Sequence, residues 1–389
     1  MNPLRRFLDK IKPNFEKGGK FEKLYSTFDA FETFLFVPNT VTRKGAHIRD
    51  VSDLKRTMSI VLIAMMPAFL FGMWNTGFQN AEALGITRTI WENFWIGFLQ
   101  TLPIIIVSYL VGLSIEFGVA QARGHEVNEG YLVTGMLIPM VMPAGVPLWM
   151  VAIATAFAIV FVKEVFGGTG MNIWNPALVA RAFLFFAYPS EMTGDKVWVS
   201  GIKDEGVKLV DGFSGATPLA EVAQNQPITA SLSDMFFGFI PGCIGETSTL
   251  AILIGGAILL FTGVASFRIM FSVFAGGAAI GILFNILGVN SYMKLPFYYH
   301  FVMGGFAFGA VFMATDPVSG SRTGTGKWIY GFMIGALTVM IRVVNPSYPE
   351  GIMLAILLMN TFAPLIDHYV VNANIQRRLK RARLSSIKN

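Results

Sequence analysis

The 389-residue sequence has one cysteine, Cys243, and only 14% of its residues are charged. A lone thiol has no partner within its own chain, which excludes a disulfide scaffold. So few charges cannot solvate a compact soluble fold of this size, where about a quarter of residues are charged. Disorder is excluded as well, because disordered chains are charge-rich and apolar-poor, whereas 53% of this chain is hydrophobic. A phosphate-binding loop is also missing. Gly167-Gly168-Thr169-Gly170 has neither the Gly-Lys-Ser/Thr ending nor the dinucleotide spacing. Nor does Met1–Lys23 hold the apolar stretch of a signal peptide. What the chain does have is 35 Phe, 20 Met and 40 Gly. This composition predicts an all-α integral membrane protein.

A net charge of +6 would suit nucleic acid, but its distribution argues otherwise. Of 30 Lys and Arg, 12 lie within residues 1–56 and six beyond residue 371. The basic residues thus flank the apolar body at its two ends. By the positive-inside rule both termini are cytoplasmic and the number of spans is even. Residues 1–56 read as a cytoplasmic N-terminal extension. Its Phe7, Ile11 and Phe15 stand against Arg5, Lys10 and Lys12, as in an amphipathic surface segment; a solvated arm is the other reading. Residues 372–389 form a basic cytoplasmic tail.

A helix needs about 20 apolar residues to cross the hydrocarbon. Ten runs meet or approach this, at about 58–76, 94–118, 131–142, 147–165, 173–188, 247–264, 268–288, 297–314, 328–344 and 350–370. The third is too short to span, and the fifth and eighth are marginal. The prediction is therefore about ten transmembrane helices in two five-helix repeats, 57–188 and 247–371, around an external loop at 189–246. Both halves carry interruptions. The first has a short run ending at Pro143 and a helix opened by Asn175-Pro176; the second has Asp316-Pro317 and Asn345-Pro346. Five helices per half would invert one half relative to the other, and paired interrupted segments are the signature of inverted-repeat transport folds. The general abundance of Pro and Gly in membrane helices is the plainer account.

The external loop contains Asp211-Gly212-Phe213-Ser214-Gly215-Ala216-Thr217. A chance Ser-Gly-Ala-Thr in a chain this long is on the order of a 1% event. The segment is small and polar, so a modifying enzyme can reach the Thr217 hydroxyl, a weak nucleophile that needs outside help. A glycine-rich turn before Pro218 is the bland alternative.

Asp211-x-x-Ser214-Gly215-Ala216-Thr217 resembles the acceptor motif of flavin transferases. With it, the chain resembles the B-subunit family of Na⁺-translocating NADH:quinone reductases over nearly its full length. The resemblance is carried by Phe15-Glu16-Lys17-Gly18-Gly19-Lys20, Arg49-Asp50, Asp53-Leu54-Lys55-Arg56, Arg123 to Gly130, Phe166 to Gly170, Asn175-Pro176-Ala177, Arg181 to Pro189 and Thr315 to Ser319. The D subunits of the related Rnf complexes share the flavin motif and the membrane body. They generally lack an N-terminal extension like residues 1–56, which favours the quinone reductase.

The resemblance implies an electron-carrying component of a redox-driven sodium pump in the bacterial inner membrane, with the five-plus-five architecture of urea transporters. It implies FMN joined through its phosphate to Thr217 by a flavin transferase, with Asp211, Ser214, Gly215 and Ala216 completing the motif. Riboflavin is expected as a second cofactor, ubiquinone as substrate and Na⁺ as the transported ion. With no soluble dinucleotide domain in this chain, NADH would bind a flavoprotein partner, and a second covalent-FMN subunit is expected in the complex. No nucleic-acid partner is expected. The rival class is a passive small-solute channel, which predicts no chromophore.

Several polar residues stand out individually. An ionisable group inside a span costs a few kcal/mol at least, which singles out Asp316 and Asp367. The resemblance points to both as Na⁺ uptake acids; an N-cap in an Asp-Pro turn and an ordinary interfacial residue are the plainer readings. Residues 123–130 bring Arg123, His125, Glu126 and Glu129 to a loop entering a short helix. A quinone head group needs hydrogen-bond donors and a proton source beside lipid, so His125, Glu129 and Gly130 are its candidates; capping of the next helix is the alternative. Asn172 and Asn175 are uncharged groups with several partners each. They suit the edge of a riboflavin ring, or equally the free backbone of a helix break. Lys163 and Glu164 cannot face each other on a helix and read as interfacial. One thiolate at Cys243 makes an iron–sulfur centre only if a partner supplies the remaining ligands.

Overall fold

The computed structural model describes residues 3–16, 18–36, 42, 44–46, 54–124, 130–195, 197–199, 201, 210, 213–345, 348 and 350–388. Among them every regular element is helical. The chain begins with α1 (Pro3–Ile11) and α2 (Tyr25–Leu35). Arg5 and Lys12 both reach Glu32, at 3.0 and 2.9 Å, while Phe15 stacks on Phe28 with ring centres 4.7 Å apart. Two of the cations serve an internal carboxylate, and Phe7 points outward while Leu8 is buried.

The apolar body opens with α3 (Leu54–Leu84), α4 (Ile90–Arg123) and α5 (Tyr131–Met140). Next come α6 (Leu148–Ala158), which runs on into a π-helical turn over Ile159–Glu164, then α7 (Pro176–Ala187) and α8 (Pro189–Met192). The connecting region holds α9 (Pro218–Ala223) and α10 (Leu232–Phe237). The second part comprises α11 (Thr249–Phe261), α12 (Phe267–Leu287), α13 (Tyr299–Val302), α14 (Phe306–Phe308) with a π-helical turn over Gly309–Met313, α15 (Gly324–Val344) and α16 (Ile352–Lys388).

Each of the ten apolar runs corresponds to helix in the structure. Five helices, α3, α4, α12, α15 and α16, are long and apolar enough to cross a membrane; α5, α7 and α11 are apolar but shorter. The long helices pair through small residues, as membrane helices do. A Cβ at Gly97 would land on the Met73 carbonyl where α4 meets α3, and one at Gly335 would land on the Val273 carbonyl where α15 meets α12. Large apolar side chains such as Phe261, Ile286 and Val289 face outward, whereas Ser108, Thr155, Thr338 and Asn360 are fully buried. An apolar exterior with polar groups turned inside is what lipid demands. The chain is a membrane protein.

Candidate functional sites at two buried cavities

Two cavities among the described residues lie beside the interrupted helices. The first cavity, about 110 Å³, is bordered by Gly130, Lys163, Thr169, Asn172, Asn175 and Asp316. Both π-helical turns contribute to its wall, through Lys163 in one and Phe312 in the other. Such turns insert an extra residue into a helix and recur at functional sites. The candidates proposed separately for quinone (Gly130), riboflavin (Asn172, Asn175) and sodium (Asp316) thus share one cavity. His125 and Glu129 lie outside the described residues.

Each polar group here is partly committed. Asn175 caps α7, its Oδ1 accepting from the Ala177 and Leu178 amides at 3.0 and 3.4 Å. Asn172 donates its Nδ2 to the Trp174 carbonyl at 2.9 Å. Among the described residues, Asn175 keeps its amide NH₂ uncommitted and Asn172 its carbonyl. Together they offer a donor and an acceptor, the pair that the edge of a heterocycle requires. Asp316 caps its own turn, accepting from the Val318 amide at 3.0 Å and the Ser319 hydroxyl at 2.7 Å. The nearest following helix starts only at Gly324, so Asp316 is not a helix N-cap.

Lys163 departs from expectation. It is 3% exposed, its ammonium bonds the equally buried Glu116 of α4, and it lies 5.6 Å from the centre of the Tyr131 ring. The helix around it is π-helical, and the ammonium points inward to α4 instead of to an interface. Glu164 does stay near the surface, where Arg123 donates to its backbone carbonyl at 3.0 Å. Asp367 does not border the first cavity. It sits within α16 and accepts from the Ser321 hydroxyl (2.7 Å), the Arg322 amide (2.7 Å), the Thr323 amide (3.0 Å) and the Thr323 hydroxyl (2.5 Å). That carboxylate ties the 321–323 segment to the last helix.

The second cavity, about 70 Å³, is bordered by Thr217, Cys243, Glu246, Thr247, Gly304 and Glu350. Thr217 is half-buried and caps α9, its hydroxyl accepting from the Ala220 amide at 3.2 Å. Among the described residues that hydroxyl donates to nothing, so esterification would break no bond that it makes as a donor. Ser214 accepts from the Ala216 amide at 3.3 Å. A Cβ at Gly215 would collide with the Asp195 carbonyl, which explains the glycine at that position. Asp211 lies outside the described residues.

The buried Arg181 of α7 donates to the Val141 carbonyl, to Glu350 and to the Cys243 sulfur at 2.8 Å, and it lies 3.5 Å from Glu246. The ligand atoms of Cys243, Glu246 and Glu350 come within 4.8 Å of one another, but the guanidinium already occupies their centre as the resident cation. Arg342 of α15 donates to the carbonyls of His300 (2.6 Å), Met303 (2.9 Å) and Glu350 (3.1 Å). It thereby satisfies the irregular backbone around α13 and the start of α16. Sequence reasoning missed Glu116, Arg181, Glu246, Arg342 and Glu350. The available signal was the same for each: an ionisable residue in or beside an apolar run.

Helices interrupted around paired buried charge, within an apolar exterior, define a polytopic membrane protein with polar internal sites. The chain belongs to the NQR2, RnfD, RnfE family, whose model matches residues 41–376. It is 49% identical to the B subunit of the Na(+)-translocating NADH-quinone reductase of Chromohalobacter salexigens, over 97% of this chain and 96% of that protein. The corresponding B subunits of Ectopseudomonas mendocina and Azotobacter vinelandii are also 49% identical, each over 97% of this chain and 99% of the relative.

Proposed function

We propose that the chain is the membrane component of a redox-driven sodium pump, carrying FMN on Thr217 and passing electrons that its partners take from NADH on to ubiquinone. The observation that carries this reading is the setting of Thr217: a half-buried hydroxyl, free as a donor, opening on a cavity beside a charged cluster. The full-length similarity to proteins named as B subunits of this reductase supports it over an Rnf role.

A flavin supplies one- and two-electron carriage, and the protein supplies orientation and electrostatics. Gly215 and Ser214 shape the turn that presents Thr217 to a flavin transferase, with Asp211 completing the motif. At the first cavity, Asn172 and Asn175 offer a carbonyl and an amide to a riboflavin ring, and Gly130 borders the quinone position; His125 and Glu129, outside the described residues, complete the quinone candidates by sequence. Asp316 and Asp367 serve Na⁺ entry, oxygen ligands being suited to a hard cation. Each Na⁺ moved against 100 mV costs about 2.3 kcal/mol, which electron transfer must supply.

The partners in this reading are an NADH-oxidising flavoprotein and a second covalent-FMN subunit, in the bacterial inner membrane. Both termini are cytoplasmic, as the terminal Lys and Arg favour, and Thr217 is external. The arrangement is two inverted five-helix repeats, a reading supported by the helix interruption in each half. The test is in-gel flavin fluorescence after denaturation, for the chain made with its transferase and for Thr217→Ala. A fluorescent band lost in the variant is expected. No fluorescence from the wild type with active transferase would overturn the reading and favour a passive channel.

A further inference from the structure

We infer that Lys163 is a positioning and tuning residue of the first cavity: its ammonium raises the reduction potential of the flavin held there, and Glu116 is its counter-charge. The inference rests on the riboflavin reading of that cavity and names the residues that act on the ring electrostatically.

Four observations carry it. Lys163 borders the cavity, whereas Glu116 does not. An ammonium has three donors, and among the described residues only Glu116 takes one; two remain for a ligand. The rest of the wall is largely apolar, including Val61, Val133, Leu137, Leu259 and Phe312, and in such surroundings a charge acts strongly on its neighbours. The free amide of Asn175 and carbonyl of Asn172 border the same space, so a ring fixed by them would lie against the cation.

Electrons from NADH, delivered through partner subunits, add negative charge to an isoalloxazine ring until protons follow or the electrons leave to quinone. Charge beside the ring nitrogens is one of the means by which a protein tunes this equilibrium. The nearer cation favours the reduced ring, and the more distant carboxylate opposes it. The two members of one ion pair therefore have effects of opposite sign on the potential. A purely structural pair would not show this, since breaking it from either side disturbs the same packing.

The experiment is spectroelectrochemical titration of riboflavin in the intact purified complex, with riboflavin content measured alongside after extraction and separation from the flavin of the NADH-oxidising partner, for wild type, Lys163→Met and Glu116→Gln. Lys163→Met is expected to make reduction at least tenfold less favourable, about 59 mV for a one-electron step, and Glu116→Gln to move the potential the other way. Shifts of the same sign, or no shift with flavin retained, would overturn the inference. If a lone buried charge prevents assembly of either variant, the charge-free double variant Lys163→Met/Glu116→Leu decides. It should assemble and show a lowered potential, and an unchanged potential there refutes the role. A wild-type complex without riboflavin removes the riboflavin reading itself, and this inference with it.

Discussion

The two cavities bury charge in different ways. At the first, a lysine that borders the space meets one carboxylate and, among the described residues, makes no second hydrogen bond. At the second, one guanidinium is engaged by two carboxylates, a thiol and a backbone carbonyl. Lysine is a compact point charge with rotatable donors, whereas the rigid fork of arginine suits fixed, multidentate pairing. The first arrangement leaves a charge able to face a ligand. The second is a joint: Val141 belongs to the first part of the body, Glu246 to the connecting region and Glu350 to the second part. Buried charge alone therefore does not mark a ligand site, and uncommitted donors are the better sign. The cavities are well separated. Val61 borders the first, while Asn75, on the same helix, donates to the Ile240 carbonyl beside the second. At 1.5 Å per residue that is roughly 20 Å along α3.

The largest effect is expected from breaking the joint. Arg181→Leu would leave Glu246 and Glu350 without their common partner, and removing one member of a buried pair costs about 3–5 kcal/mol. Thermal unfolding of the assembled complex in detergent should show it, and Arg181→Lys should rescue it only partly. If Arg181→Leu melts like wild type, the cluster is not a joint.

Thr217→Ala sharpens the contrast chemically. The covalent flavin of this chain should vanish while riboflavin stays, with about 1 kcal/mol lost from the α9 cap. Asn175→Ala is the mirror experiment. The covalent fluorescent band of this chain should persist, riboflavin content should fall, and the lost α7 cap should again cost about 1 kcal/mol. Equal loss of both flavins in either variant would mean that the cavities are not independent.

The smallest effect concerns the N-terminal module, none of whose residues borders either cavity. Lys12 titrates above the ordinary lysine value, chiefly because its ammonium donates a hydrogen bond to Glu32. A raised lysine value means that the pair contributes fully below the unfolded value and is lost as pH rises through the shifted one. Limited proteolysis between α1 and α2 should therefore be flat around neutrality and accelerate only in strong alkali. Acceleration near neutral pH would contradict the pairing.

Hydropathy is a local property, so the ten apolar runs were legible and each became helix. Length separates the five candidate spans from the rest, and the sequence marked Tyr131–Met140 as too short for the same reason. The Thr217 motif was equally legible, being seven consecutive residues. The charge pairs were not. Lys163 and Glu116 are 47 residues apart, and Arg181 and Glu350 are 169 apart; no periodicity relates such partners. Reading Lys163 as interfacial assumed an ordinary helix, and neither π-helical turn leaves a trace in hydropathy. The gathering of Gly130, Asn172, Asn175 and Asp316 around one space likewise needed tertiary structure, since sequence suggested three separate roles.

The separation of 169 residues between Arg181 and Glu350 is also an interval of time. At roughly 5–20 residues per second, the arginine is made about 10–30 s before its carboxylate exists. The first part of the body can insert during that period, but it cannot complete its final packing. Its last buried charge is matched only when the start of α16 emerges. Maturation of the first half is thereby tied to synthesis of the last helix, and a chain truncated after α15 would strand Arg181 in the membrane with one carboxylate in place of two.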